Sequence, residues 1–150
     1  MTEATTKILL VDDGKENLIA LAALVREPDR EILTARSARE ALELLLVHEV
    51  ALALVDVQMP EIDGFELAEL MRGIERTRGV PIVFITAGAR DTARVFAGYD
   101  AGAVDFLFKP LDPHVLKSRV NLFITLHRQR LKLAQTLEEL RLLQEQLRQR

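Results

Sequence analysis

Three short apolar runs punctuate the chain: Lys7 to Val11 (KILLV), Leu52 to Val57 (LALVDV) and Pro81 to Ile85 (PIVFI). Uninterrupted apolar runs of this length suit strands covered on both faces, as in a parallel sheet. Glu31 to Ala35 (EILTA), whose alternation suits an edge, and Val104 to Phe108 (VDFLF) bring the predicted strands to five. Between them helical periodicity predicts helices over Glu16 to Arg26, Ser37 to His48, Phe65 to Arg76 and Asp91 to Asp100. Ser37 and Glu40 form a capping-box pattern ahead of Ala41, Leu42, Leu44 and Leu45. Gly102 predicts a C-terminal cap, and Thr77 to Gly79 a loop. Strict strand and helix alternation implies right-handed crossovers with helices on both sheet faces. The predicted fold is α/β, a doubly wound five-stranded parallel sheet in the flavodoxin-like order 2-1-3-4-5.

After Lys109-Pro110 the pattern changes. Asp112 predicts an N-cap and Pro113 the first helical position, with no breaker through Arg150. The expected organisation is a domain over 1–122 and a helical extension over 123–150. Taking Phe123 as an a position puts Phe123, Leu126, Arg130, Leu133, Leu137, Leu140, Gln144 and Leu147 along a/d. That spacing predicts a coiled coil and a parallel dimer, with Arg130 and Gln144 weakening the seam or setting its register. Leu131, Leu142 and Leu143 lie off the seam, which leaves a larger bundle or downstream sequence as alternatives. A helix ending within a heptad pattern is expected of the front part of a longer protein, with a stand-alone regulator as the alternative.

Composition narrows the class. With 49% apolar and 29% charged residues the chain has ordinary globular usage. No apolar run approaches a membrane span, and the first residues lack a signal-peptide pattern. With no Cys, disulfides and thiolate zinc sites are excluded, and a cytoplasmic location is expected. Leu111 to Arg150 holds eight Lys and Arg against four Asp and Glu. These cations interleave with leucines at helical spacing, so a solvated helix face is expected rather than a nucleic-acid surface.

In a parallel sheet the loops at the carboxyl ends of the strands converge. Standing there are Asp12 and Asp13 after the first strand, Asp56 on the third, Thr86 after the fourth and Lys109 after the fifth. Three carboxylates about 5 Å apart would repel by roughly 3 kcal/mol per pair at an effective dielectric of about 20. Oxygen ligands without His or Cys favour a hard cation, and Mg²⁺ fits best, with Asp13 and Asp56 direct, Asp12 through water, and the Gln58 backbone carbonyl completing the set. A carboxylate attacks phosphorus when the phosphoryl charge is neutralised, here by the metal, Lys109 and Thr86. Each residue also has an ordinary alternative: Asp12 and Asp13 as helix caps, Lys109 as a surface ion pair. Their joint placement at four strand ends is what favours chemistry.

The chain resembles receiver (phosphoacceptor) domains of the two-component response-regulator family. The matching residues are Val11-Asp12-Asp13, Val55 to Pro60 with Asp63-Gly64 behind it, Ile85-Thr86-Ala87, Ala101-Gly102-Ala103 and Lys109-Pro110. The resemblance implies Mg²⁺-dependent phosphoryl transfer to Asp56 from a histidine kinase or phosphotransfer protein. It implies a domain that acts only on its own phosphoryl group, accepting and losing it, and a cis peptide before Pro110. Thr86 would move toward the phosphoryl group, with Phe106 as the switching aromatic or an ordinary core residue. Gln58 and Gly88 occupy positions that tune dephosphorylation, and small Ala87 leaves Asp56 accessible. The surface expected to change, and to form a homodimer with the C-terminal helix, comprises the fourth predicted helix, the fifth strand and the start of the last helix. His114 and His127 are expected to be exposed or interfacial, and His48 to interact with the carbonyls ending its helix. Two alternatives compete: a phosphatase of the haloacid dehalogenase type, disfavoured by Gln58 where a second Asp is needed, and an interaction module that is never phosphorylated.

Overall fold

A computed structural model of the chain describes residues 5–87 and 103–149. Five strands, β1 (Thr6–Val11), β2 (Arg30–Ala35), β3 (Leu52–Asp56), β4 (Ile82–Thr86) and β5 (Ala103–Phe108), form one parallel sheet in the order β2-β1-β3-β4-β5. The helices are α1 (Lys15–Val25), α2 (Ala38–Val47), α3 (Gly64–Arg72) and α4 (Pro113–Arg148). The helix predicted over Asp91 to Asp100, Gly88 and the Gly102 cap lie outside the described residues.

Side chains alternate between two cores, one on each face of the sheet. Leu9, Val11, Ala53, Val55 and Phe84 face α2 and α3, where they meet Ala41, Leu45, Leu67 and Met71. Ile8, Leu10, Leu52, Leu54, Val83 and Ile85 face the other way, toward Leu18, Leu21 and Val25 of α1 and Leu116, Val120 and Ile124 of α4. Every residue of β3 is buried, which is why LALVD shows no polar interruption before its acid. Each fully buried Leu or Ile stabilises the fold by about 1.5–3 kcal/mol, so truncating Leu54 to Ala would cost several times a surface change. β2 is the sheet edge, with only Ala35 fully buried.

Caps set the helix ends. Ser37 Oγ accepts the Glu40 N–H at 3.1 Å, while the Glu40 carboxylate reaches back to the Arg36 N–H, leaving the expected capping box half formed. α3 stops at Arg72, four residues short of the expected end. The Gly73 N–H reaches the carbonyls of Glu69 and Leu70, and the buried Thr77 hydroxyl donates to the Met71 carbonyl at 2.6 Å. These bonds satisfy the last carbonyls and turn the chain. The single 36-residue helix α4 begins as expected, with Asp112 Oδ1 accepting the His114 N–H at 2.9 Å and Pro113 behind it. Its buried contacts run through Ile124, and Phe123 is half-buried beside them. From Arg128 to Gln149 every residue is exposed. No helix among the described residues is long and apolar enough to cross a membrane.

Candidate functional site

The β1–β2 ladder continues one residue beyond β1, with the Asp12 N–H donating to the Ala35 carbonyl at 3.1 Å. This leaves Asp12 almost wholly buried at the end of the sheet. Its Oδ1 accepts the Gly14 N–H at 2.8 Å and the Asn17 amide at 3.4 Å, a local turn that starts α1. Its Oδ2 faces the Lys109 ammonium at 3.9 Å. One oxygen of Asp12 thus holds the turn into α1, whose N-cap Gly14 has no side-chain cap bond, while the other faces the pocket. Asp13 is exposed, and its backbone carbonyl accepts from the Arg36 guanidinium at 3.2 Å.

Asp56 ends β3 and is buried. The Val57 N–H donates to the Ile85 carbonyl at 3.0 Å, and the Gly64 N–H to the Val57 carbonyl at 2.9 Å, so the start of α3 is fastened beneath the acid. A Cβ on Gly64 would stand 2.5 Å from the Asp56 carbonyl oxygen, a separation no side chain tolerates. Asp63 caps α3, its carboxylate accepting the Glu66 N–H at 2.9 Å while Glu66 accepts the Asp63 N–H at 3.2 Å. Sequence reasoning missed this reciprocal box and the close approach of Gly64, although Asp63 followed three residues later by Glu66 carries the signal for the first. Between them and Asp56, Glu61 adopts φ 68°, with the Ile62 N–H donating to the Pro60 carbonyl at 2.9 Å, a tight three-residue turn.

One oxygen from each of Asp12, Asp13 and Asp56 lies within 4.8 Å of the others. Burial first, then the Asp12 charge, raise the Asp56 carboxyl to about 6; Lys109 and a backbone hydrogen bond from Gln58 oppose them, and Asp13 adds a smaller push upward. The cluster thus holds more negative charge than its single ammonium offsets. An all-oxygen, acidic donor set of this kind suits a hard divalent cation such as Mg²⁺. Among the described residues this is the one group of three or more His, Cys, Asp or Glu side chains placed to share an ion.

Thr86 ends β4, buried, and its carbonyl accepts the Lys109 N–H at 2.9 Å. Asp56 is in register with Ile85, so Thr86 stands one residue beyond the acid on the adjacent strand. The Lys109–Pro110 peptide is cis, in agreement with the resemblance. Phe106 is buried, with ring centroids 5.3 Å from Phe84 and 6.3 Å from Phe65. The Gln58 side chain is exposed.

The histidines stand apart from this pocket. His48 Nδ1 lies 2.9 Å from Lys7 Nζ, so its ring meets a lysine rather than the helix carbonyls expected. His127 is half-buried and shifted below its ordinary value, chiefly by burial.

Residues 8–121 match the response regulator receiver domain family. Among curated relatives, a probable cyclic di-GMP phosphodiesterase of Vibrio cholerae is 36% identical over 114 residues, 76% of this chain and 25% of that protein. The transcriptional regulatory protein SrrA of Staphylococcus aureus is 34% identical over 116 residues, 77% of this chain and 46% of its own length. The chain therefore spans less than half the length of these relatives. A solved structure of a putative response regulator from Chloroflexus aurantiacus superposes with a TM-score of 0.74 at 32% identity, covering 81% of this chain and 99% of that one. The chemotaxis protein CheY4 of Vibrio cholerae gives a TM-score of 0.74 at 27% identity, covering 80% and 99%. With its sheet order, its acidic pocket and its match over 8–121 in agreement, the chain belongs to the response regulator receiver domain family, whose role in two-component systems is phosphoacceptor signalling.

Proposed function

We propose that Asp56 accepts a phosphoryl group from the phosphohistidine of a histidine kinase or phosphotransfer protein, with Mg²⁺ bound by Asp12, Asp13, Asp56 and the Gln58 backbone carbonyl. The observation that carries this reading is the convergence of three carboxylates within 4.8 Å, with the Lys109 ammonium beside them. An Asp56 carboxylate oxygen attacks phosphorus as the bond from phosphorus to the histidine nitrogen breaks, and the imidazole leaves with a proton from solvent. When bound, the cation neutralises charge on the phosphoryl oxygens. Burial of Asp56 keeps bulk water from competing with these fixed charges, and the Lys109 ammonium supplies a second positive group. Hydrolysis of the acyl phosphate at the same site returns the carboxylate, so turnover is confined to the chain's own phosphoryl group.

Phosphorylation adds charge and strong acceptors beside Thr86 and Lys109. Thr86, at the end of β4, and Phe106, behind it on β5, are the proposed switch residues. The Asp105–Arg119 ion pair at 2.7 Å joins β5 to α4, so a shift in β5 is felt by that helix. The chain, a cytoplasmic protein in this reading, pairs with a second copy through α4, and the neighbouring β5 face is what phosphorylation reshapes.

Acetyl phosphate tests the acceptor role by mass spectrometry. The expected result is a gain of one phosphoryl group that needs Mg²⁺ and is lost in Asp56→Asn. No gain in the parent protein with Mg²⁺ present would favour the alternative of an unphosphorylated interaction module.

A further inference from the structure

Two faces of α4 run along opposite sides of the helix. One carries the buried Leu116, Val120 and Ile124 and continues to Arg128, which donates to Thr6 Oγ1 at 3.0 Å and to the Asp29 carbonyl at 2.9 Å. Phe123 flanks this face, packed against the same core. At 3.6 residues per turn the far side carries Val115 and Leu122 beside the domain, then Leu126, Leu133, Leu140 and Leu147 at seven-residue intervals. All are exposed, from 38% at Val115 to 66% at Leu147.

This outward stripe has its own heptad register. Leu126, Leu133, Leu140 and Leu147 take the a positions, and Leu122, Gln129, Thr136 and Leu143 the d positions. The seam led by Phe123 starts on a side chain held by the core and then places Arg130 and Gln144 at a. In the outward register both move to e, at the rim, where a charge or amide stays solvated. Arg119, the polar residue of the stripe nearest the domain, has its guanidinium drawn aside by Asp105 at 2.7 Å.

We infer that α4 pairs with a second copy of this chain, parallel and in register, along the outward stripe from Val115 to Leu147. This rests on the homodimer reading above and locates its seam. The stripe is about 48 Å long, and a helix about 10 Å wide offers on the order of 500 Å² of projected face per copy, or about 1,000 Å² for two, the threshold of a specific interface. A leucine-rich strip of that extent lies at the upper end of what a monomer ordinarily leaves to water. In-register parallel pairing sets Gln129 and Thr136 against themselves, whereas antiparallel pairing sets them against leucines. At the rim, Thr125 faces Arg130, Lys132 faces Leu137 and Glu139 faces Gln144 of the other copy's sequence, so no like charges meet in these pairs, while Arg119, an a position of the same register, is held aside by Asp105. The two domains lie outside the helix pair, and Arg128 on the inner face ties each helix to its own domain.

Because the chain has no Cys, single exposed cysteines report the seam in the full chain. Disulfides need Cβ atoms close together, so Leu122→Cys and Leu143→Cys are expected to oxidise to covalent dimers roughly tenfold faster than Gln135→Cys and Gln144→Cys. Fastest crosslinking by Gln144→Cys would restore the register led by Phe123 and overturn this one, as would equal rates at all four sites. A mixture of Leu126→Cys and Leu143→Cys that crosslinks faster than either alone would show antiparallel pairing and overturn it too. In each of these cases sedimentation still shows a dimer, so the homodimer reading survives; sedimentation as a monomer at tens of micromolar removes both.

Discussion

Asp56 carries the sharpest consequence of burial for a single residue. Its carboxyl is raised above the unfolded value of 3.8 to about 6, first by burial and then by Asp12, so the folded chain binds this proton more tightly than the unfolded one. Without divalent metal that contribution to stability is complete below the unfolded pKa and is lost as pH rises through about 6. The expected loss is on the order of 2 to 3 kcal/mol, followed by urea unfolding across this range. Asp56→Asn should flatten the profile and leave the metal-free protein more stable than the parent at pH 7.5. A parent profile that does not fall over this window would show that the carboxylate is solvated or otherwise compensated. Gly64 is constrained differently, by the 2.5 Å separation between an added Cβ and the Asp56 carbonyl. Gly64→Ala is expected to cost about 2 kcal/mol or more, within the range for overpacking, and to slow phosphorylation by acetyl phosphate, because relief of the clash must shift Asp56.

Among the elements, α3 depends most on its cap. Asp63 and Glu66 each accept the other's N–H, and α3 opens the segment that the Gly64 N–H fastens to β3. Asp63→Ala should lower stability by about 1 kcal/mol, measured by thermal or urea unfolding, and should raise hydrogen exchange at the first turn of α3. Glu66→Gln keeps an acceptor and should cost much less. The strand and helix pattern was legible because it repeats locally: PIVFI and LALVD are uninterrupted since β4 and β3 are covered on both sides, and EILTA carries the exposed Glu31 and Thr34 since β2 is an edge. The end of α3 at Arg72, in place of the expected Arg76, was not legible. The carbonyls of Glu69, Leu70 and Met71 are taken by Gly73 and Thr77, a local arrangement that helical periodicity does not encode.

For the whole molecule, the two cores account for the receiver fold, and the exposed end of α4 adds no buried surface to it. The proposed pairing through that helix would make stability concentration-dependent, since association favours the folded form by mass action. The melting temperature of the parent chain is therefore expected to rise with protein concentration. Leu140→Glu should abolish that rise while leaving the melting temperature at high dilution unchanged, because Leu140 is exposed and touches neither core. A large loss of stability at high dilution would instead place Leu140 in contact with its own domain.

By itself the sequence determined the order and type of the described elements, their parallel arrangement, and Asp12, Asp13, Asp56, Thr86 and Lys109 as neighbours at the carboxyl edge. Periodicity is a local property, and parallel strands bring their loops to one edge whatever the details of packing. Tertiary structure decided how far Asp56 is shifted, why position 64 admits no side chain, and which side of α4 faces outward. Each depends on atoms distant in the chain: desolvation on the packing around the carboxylate, the clash on backbone from another element, and the orientation of a long helix on the core that claims Phe123.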